Sequence, residues 1–351
     1  MKIGILGGGQ LARMLALAGY PLGFTFRTLD PAPDAPAAPV SELICAGYAD
    51  LDALPRFAEG VEVVTYEFEN VPLESAAWLA ERLPVYPPPA ALRVAQERLT
   101  EKTFLRELGI PTPAFAPIDS PEDLAGALAI TGLPAVLKTR RFGYDGKGQQ
   151  VVHTTEEARA ALNTFGAAAL IAEAHIRFER ELSLIGVRGI SGEAAFYPLV
   201  ENHHVGGILQ QTIAPAPNLN PALQTAAEDF MQRIFTALNY VGVLAIEFFE
   251  VNTSLLANEI APRVHNSGHW TIEGAGTSQF ENHLRAICGL PLGSTAARGK
   301  TVMHNLIGNT PDFDAILRTP NAHLHWYGKQ PRPGRKLGHV TLCAWDENQP
   351  L

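Results

Sequence analysis

The sequence predicts an α/β chain that opens on a doubly wound parallel unit and continues into a mixed α/β and α+β body. Three observations carry that expectation. Near the N-terminus an apolar strand pattern runs directly into a glycine turn and a helical pattern. Residues 113–184 alternate short strand and helix patterns, as a small α/β insert would. Residues 243–260 form two apolar, β-rich runs around Asn252, Thr253 and Ser254, the pattern of a β-hairpin. At 351 residues the chain has room for two or three domains. The expected divisions are 1–97, a linker helix over 98–112, the insert over 113–184 and a central and C-terminal body over 185–351.

Bulk properties narrow the function classes. With 46% hydrophobic and 18% charged residues the chain reads as a soluble globular protein. A net charge of −9 without a long basic run argues against nucleic-acid binding. Cys45, Cys288 and Cys343 are widely spaced, which fits a reduced, cytoplasmic compartment better than a disulfide framework. The opening MKIGILGGG is too short and too glycine-rich for a signal peptide. No apolar run reaches the roughly 18 residues that a membrane span needs.

Taken in order, residues 2–6 are the first strand and 11–18 the first helix, joined through Gly7, Gly8, Gly9, Gln10 and Leu11. A second strand over 23–29 ends at Asp30. Strand, G-x-G-x-x-A and a later acidic residue satisfy a dinucleotide fingerprint, so an NAD-binding oxidoreductase is one alternative. The physics is broader, because glycines let a backbone approach any phosphate at a helix N-terminus. The strand over 61–68 carries Glu67, Glu69 and Asn70 at its carboxyl end, where open parallel sheets bind ligands. A carboxylate there can hold ribose hydroxyls, whereas Asn70 reads as opening the helix over 73–82. Residues 90–108 read as one long helix with Arg98 and Lys102 on one face.

Within the insert, helices are expected over 121–130 and 156–165 and strands over 135–139, 150–153 and 169–173. Lys138 lies inside an apolar strand, where a lysine needs a partner or a ligand; a lysine snorkelling from an edge strand is the alternative. TRRFGYDGKGQ over 139–149 suits a loop whose amides and cations close on polyphosphate, although a glycine-rich hairpin tip has the same composition. Glu173 and Glu181 are further candidates beside a nucleotide. His203 and His204 are neighbours on a strand and point to opposite faces, so only one of them suits a ligand. A helix over 221–238 precedes the hairpin, and another over 278–289 carries His283 on what reads as a solvated face. Strands over 300–306, 322–327 and 338–344 close the chain. His323 and His325 read as structural, and the basic pair Arg335 and Lys336 is a candidate for a substrate phosphate.

Chemistry concentrates on the hairpin. With a three-residue loop over 252–254, Glu247 and Glu259 fall opposite each other on one face. Facing like charges destabilise a strand pair, and an unpaired buried carboxylate costs about several kcal/mol. A hard cation between them accounts for the pair, since Mg²⁺ typically takes one or two carboxylates and completes its shell with water and phosphate oxygens. A solvated edge on which the two never meet is the alternative. Arg263 and His265 follow in PRVHNSGH. Cation, anion-binding groups and a strand end together suggest phosphate or acyl-phosphate chemistry.

Together these segments resemble the ATP-grasp superfamily, and within it the family of 5-(carboxyamino)imidazole ribonucleotide synthases of microbial purine biosynthesis. The likeness covers nearly the whole chain: GGGQLARM at 7–14, LDPAPDAPA from 29, TYEFENVP at 65–72, GYDGKGQ at 143–149, NEIAPRVHNSGHWT at 258–271, SQFENHLRAICGLPLG at 278–293 and KLGHVT at 336–341. It implies an ATP-grasp fold with a Rossmann-like N-terminal domain, a small mobile lid and a mixed-sheet central and C-terminal domain, with ATP between lid and centre. ATP would be held by Arg98, Lys138, the loop Gly143, Tyr144, Asp145, Gly146, Lys147, Gly148 and Gln149, by Glu173, Ala174, His175 and Ile176, and by Glu181, His204, Asn258 and Glu259. Glu247 and Glu259 would hold Mg²⁺ or Mn²⁺. Many ATP-grasp enzymes place a third ligand, an asparagine, two positions after the second glutamate; that position is Ala261 here.

The implied reaction is ATP- and bicarbonate-dependent carboxylation of the amine of 5-aminoimidazole ribonucleotide through carboxyphosphate. Mg²⁺, Lys138 and the glycine loop would offset the repulsion between the two anions. Arg263 and His265 resemble the family's bicarbonate and carboxyphosphate binders. Tyr144 and Asp145 would position the imidazole, and Asp145 would accept the amine proton. Glu67 would hold the ribose. Gly8, Gly9, Gln10 and Leu11, with Lys336 and Arg335, would hold the 5′-phosphate. Relatives are homodimers, so a homodimer is expected. A formate-using ATP-grasp amine ligase is the alternative within the superfamily.

Overall fold

The computed structural model describes residues 1–143, 146–166 and 168–344. Lys2–Leu6, Thr25–Asp30, Glu42–Cys45 and Val63–Tyr66 form a four-stranded parallel sheet in which the first strand lies between the second and the fourth. The apolar runs Lys2–Leu6 and Val63–Tyr66 are almost wholly buried, as strands covered by helices require, whereas the edge strand Glu42–Cys45 is largely exposed. Gly7, with φ of 106°, turns the chain from the first strand into helix Gln10–Gly19.

The expected single helix over 90–108 is instead two, Pro89–Ala95 and Arg98–Glu107. Glu97 between them takes an extended backbone, and its carboxylate accepts the amides of Leu99 and Thr100. Gln96 turns aside to donate to the carbonyls of Glu69 at 2.9 Å and Val71 at 2.6 Å. A side-chain cap thus outcompetes helix continuation, which apolar periodicity alone does not reveal.

The insert is a four-stranded antiparallel sheet, Phe115–Ile118, Leu170–Ala174, Ala135–Thr139 and Gln149–Val152 in spatial order, backed by helices Leu124–Thr131 and Thr155–Phe165. The first of these strands was not expected because Pro117 interrupts it; it lies at the sheet edge, where proline is tolerated. Arg180–Arg188 already belongs to the next sheet, so the division expected at 184 cuts through a strand.

That next sheet has nine strands. Ser254–Ala261 forms one edge, followed by Gly242–Val251, Arg180–Arg188, Val200–Val205, Ile208–Ala214, Lys300–Ile307, Lys336–Ala344 and Ala322–Trp326, with Ala194–Phe196 also pairing to Arg180–Arg188. Alternation of side chains sends Leu244 and Ile246 to one face, against Met231, Ile234 and Phe235 of helix Pro221–Ala237. Val243 and Ala245 go to the other, where Leu284 and Ile287 of helix Gln279–Ile287 meet Leu15 of helix Gln10–Gly19. The N-terminal unit is therefore docked on the large sheet through a shared apolar core. Among the described residues no helix is long and apolar enough to cross a membrane.

His283 sits at that junction, and its expected solvation is not found: only 1% of it is exposed. Nδ1 accepts the Val243 amide at 3.1 Å, so the proton of the neutral ring lies on Nε2, 2.8 Å from Thr65 Oγ1. Helical periodicity counts a histidine as polar, but these tertiary partners satisfy it inside. Burial lowers its pKa from 6.5 to about 3. The unfolded chain therefore binds this proton first, and folding stability is lost as pH falls through that window. His283→Gln is expected to flatten the pH dependence of the urea-unfolding free energy between those limits, by up to about 1.4 kcal/mol per pH unit.

Candidate active site

The hairpin Gly242–Val251 and Ser254–Ala261 reaches the expected pairing by an unexpected route. Val251 pairs with Ser254, so the loop is only Asn252 and Thr253, whose positive φ values of 48° and 61° suit a two-residue type I′ turn. Continued without interruption, that register would set Glu247 opposite Asn258. A bulge intervenes: Phe248 pairs with Ala257, Glu247 pairs with Glu259, and Asn258 is the extra residue. The two carboxylates therefore face each other.

Burial, and then the charge of Glu259, raise the Glu247 carboxyl to about 7. Asn258 Oδ1, on the bulge itself, is buried without a partner. Hard oxygen donors of this kind suit Mg²⁺ or Mn²⁺. Among the described residues no cluster of three or more His, Cys, Asp or Glu side chains is arranged around a metal position. The oxygen groups that converge here are the carboxylates of Glu247 and Glu259 and the Asn258 side-chain carbonyl, and Ala261 contributes none.

This hairpin lines a cleft of about 730 Å³ shared with the insert and the N-terminal unit. On the insert side, Lys138 Nζ lies 3.0 Å from Glu173 Oε2, which also takes Lys102 Nζ at 3.3 Å. That partner explains the lysine in an apolar strand. Burial alone would raise the Glu173 carboxyl, but Lys138 and Lys102 override it and hold it at about 2. Arg98 bonds Glu259 at 3.1 Å, and His204 Nδ1 meets Glu181 at 2.8 Å while His203 turns out to solvent. Burial disfavours the His204 proton, yet Glu181 and Glu247 raise its pKa overall. Gly143, Gly146, Lys147, Gln149, Ala174, His175, Ile176 and Asn258 also line the cleft. Gly148 does not; its φ of 71° and a side chain's clash with Thr139 Oγ1 at 2.5 Å mark it as a turn residue. Tyr144 and Asp145 lie outside the described residues.

On the opposite side, Arg263 Nε donates to Glu69 at 2.6 Å, and His265 Nε2 lies 3.4 Å from Glu247. Burial, then Arg263, keep the His265 pKa well below its usual range, so the ring is neutral. Glu67 lines the cleft, but its carboxylate accepts the amides of Gly9 and, at 2.9 Å, Ala12. Asp30 likewise accepts the Gly8 amide at 2.8 Å and the Tyr48 hydroxyl at 2.7 Å. The donors of Gly8 and Gly9 are thus taken by internal carboxylates, and those two residues do not line the cleft, whereas Gln10 and Leu11 do. With its carboxylate buried and engaged, Asp30 is not presented to a dinucleotide ribose, which removes the structural basis of the NAD reading. Lys336 lines the cleft, but Arg335 turns away to the Gln330 carbonyl at 3.1 Å. Arg335 belongs to the turn that precedes the strand Lys336–Ala344, and that turn directs it away.

Several residues of the site carry no signal in the local sequence pattern, or only a faint one. Lys329 bonds the Gln10 side chain beside the glycine turn, and burial lowers its pKa to about 8. Glu101, raised to about 8 by burial and then by Glu259, accepts the Ile260 amide at 2.6 Å. Phe178 and Phe249 stack with ring centres 4.8 Å apart in the cleft wall. For Glu101 and Lys102 the available signal was the charged helix face shared with Arg98. Lys329 lies in a loop, and no local pattern marks it.

The large sheet, expected to be mixed, is antiparallel at every pairing. An antiparallel insert facing it, with lysine, arginine and paired carboxylates between them, defines an ATP-grasp ligase. Residues 103–280 match the ATP-grasp domain, 1–96 the ribonucleotide synthetase preATP-grasp domain and 301–350 the phosphoribosylaminoimidazole carboxylase C-terminal domain. Over 345 residues the chain is 54% identical to the N5-carboxyaminoimidazole ribonucleotide synthase of Pseudomonas aeruginosa, covering 98% of this chain and 95% of that one. It is similar in structure to the N5-carboxyaminoimidazole ribonucleotide synthetase of Thermus thermophilus, with TM-score 0.95 and 62% identity over 98% of this chain and 94% of that one. The synthase of Aspergillus clavatus in complex with ADP and 5-aminoimidazole ribonucleotide gives TM-score 0.91 and 34% identity, over 98% and 93%. The chain belongs to the N5-carboxyaminoimidazole ribonucleotide synthase family.

The double ammonium around Glu173 yields a stability test. Removing one member of a buried ionic group leaves the others uncompensated, at a cost of about 3–5 kcal/mol. Glu173→Gln is expected to lower the unfolding free energy of the nucleotide-free protein by about that amount at neutral pH, measured by urea titration. Since the folded carboxyl titrates near 2 and an ordinary glutamate near 4.5, wild type should lose this advantage as pH falls below about 4.5.

Proposed function

We propose that this ATP-grasp ligase carboxylates the amine of 5-aminoimidazole ribonucleotide, using ATP and bicarbonate and giving 5-(carboxyamino)imidazole ribonucleotide, ADP and phosphate. The observation that carries the reading is the convergence of the Glu247–Glu259 pair, Lys138, Arg263 and His265 on one cleft. In the first step a bicarbonate oxygen attacks the γ-phosphorus; the bond to the β–γ bridging oxygen breaks, and carboxyphosphate and ADP result. In the second, the amine nitrogen attacks the carboxyl carbon, the carbon–oxygen bond to phosphate breaks, and the nitrogen releases a proton.

Both steps bring negative groups together, so the site's positive groups define its task. Lys138 supplies charge from the insert, placed by Glu173, and Arg98 supplies it from the opposite wall. Mg²⁺ held by Glu247 and Glu259 would supply the Lewis-acid charge that offsets the phosphate oxygens. Arg263, oriented by Glu69, offers a guanidinium to bicarbonate, while neutral His265 can share a hydrogen bond there. Gln10, Leu11 and Lys336 border the end suited to the 5′-phosphate, and Lys329 bonds the Gln10 side chain there. Glu67 serves the same end indirectly, by fixing the glycine turn. By the family pattern Tyr144 and Asp145 position the imidazole and Asp145 takes its proton. Closure of the insert would keep water from carboxyphosphate. A homodimer in the cytoplasm belongs to the same family pattern.

The deciding experiment measures ADP release with aminoimidazole ribonucleotide as acceptor. Turnover is expected with bicarbonate and not with formate; formate-dependent or bicarbonate-independent turnover would remove the assignment. In the same assay Glu259→Gln is expected to lose more than the roughly 10–100-fold typical of residues one layer behind a metal ligand, with its circular dichroism unchanged. Near-normal turnover in that variant would refute the metal role.

A further inference from the structure

The second strand of the hairpin, Ser254–Ala261, is an edge of the nine-stranded sheet. An edge leaves backbone donors and acceptors without a ladder partner, and a bulge disrupts the ladder further. Here one face of helix Arg98–Glu107 takes them up. Lys102 Nζ donates to the Asn258 carbonyl at 2.5 Å and to the Ala257 carbonyl at 3.4 Å, the bulge residue and the one before it. On the far side of Glu259, Glu101 Oε1 accepts the Ile260 amide at 2.6 Å. Arg98, one turn earlier, holds the Glu259 carboxylate itself. Residues at i, i+3 and i+4 share a helix face, so a single rigid element grips the strand on both sides of the carboxylate.

We propose that Glu101 and Lys102 are positioning residues for the metal: they fix the bulge at Asn258 and through it the register that turns Glu259 toward Glu247. The inference rests on the reading of Glu247 and Glu259 as metal ligands. The turn at Asn252 and Thr253 is compatible with two registers, one with the bulge and one without it. A one-residue step carries a side chain to the other face of the sheet. In the unbulged register Asn258 would oppose Glu247, and Glu259 would point away. The clamp acts at the step that separates these registers. Lys102 is fully buried and Glu101 is 3% exposed, so losing either set of bonds leaves polar groups unsatisfied inside the protein. Lys102 also contacts Glu173 at 3.3 Å, which ties the same clamp to the insert wall that carries Lys138.

The test is Mn²⁺ affinity of the full chain in the presence of ADP, read from the electron paramagnetic resonance of free Mn²⁺, together with amide hydrogen exchange over residues 257–260. Lys102→Met and Glu101→Leu are each expected to weaken Mn²⁺ binding about tenfold, the scale of a group that orients a metal ligand, and to speed exchange in that segment. Glu101→Gln keeps a carbonyl oxygen for the Ile260 amide and is expected to recover most of the affinity. Should Lys102→Met fail to fold, the Leu and Gln variants of Glu101 decide the matter between them. A lowered unfolding midpoint with Mn²⁺ affinity within about twofold of wild type in Glu101→Leu would overturn the positioning role. Glu259→Gln separates the two levels: if it loses Mn²⁺ while Lys102→Met and Glu101→Leu do not, the clamp alone fails. If Glu259→Gln binds Mn²⁺ like wild type, the metal reading fails and the clamp's purpose with it.

Discussion

The structure depends on holding two like charges face to face across neighbouring strands. At the roughly 5 Å separation of directly opposed side chains, and an effective dielectric of about 20, two carboxylates repel by roughly 3 kcal/mol. Burial and, after it, that repulsion raise the Glu247 carboxyl, and Arg98, His204 and His265 surround the pair. It also fixes the geometry locally, with a two-residue turn at one end of the hairpin and an extra residue part-way along. The strand that carries Glu259 lies at a sheet edge and would be free to slip, had the neighbouring helix not been built against it.

The two sides of the cleft use charge in opposite ways. Toward the insert, one carboxylate gathers two ammonium groups, leaving Lys138 placed against the insert wall of the cleft. Toward the N-terminal unit, carboxylates do the internal work: Glu67 and Asp30 take up the amides of the glycine turn. A glycine-rich turn after a strand is therefore not by itself a phosphate cradle. What decides is which of its amides the protein has already engaged, and here those at the start of the helix, beside Gln10 and Leu11, border the cleft.

Much of this was legible in the sequence because it rests on local pattern. The strands are apolar runs bounded by turn residues, and Glu247, Glu259 and Lys138 stand out as charges inside such runs. The facing of the two glutamates was also legible, although a three-residue loop and a two-residue loop with a bulge give the same offset, and the sequence does not distinguish them. What escaped was decided by partners distant in the chain. His283 is buried because Thr65 and the Val243 amide receive it. Glu97 breaks a helix whose apolar pattern runs through, and Lys329 belongs to the site only through the fold that brings it to Gln10. Arg335 was expected to act with Lys336, but it sits in the turn before that strand, which sends it to the Gln330 carbonyl.

The ring of His283 joins the last strand of the parallel sheet to the first strand of the carboxylate hairpin. With the apolar core around it, this makes the parallel sheet and the carboxylate hairpin a single block, like an anvil. The insert has its own small core; the segments around 109–114 and 175–179 connect it to that block, and the bonds of Lys102 to Glu173 and of the Arg98 amide to the Arg140 carbonyl at 2.9 Å join the two directly. In the proposed reaction, any rearrangement that admits a bulky nucleotide would then fall to the insert: one berth would be finished when the chain folds, the other completed afresh in every cycle.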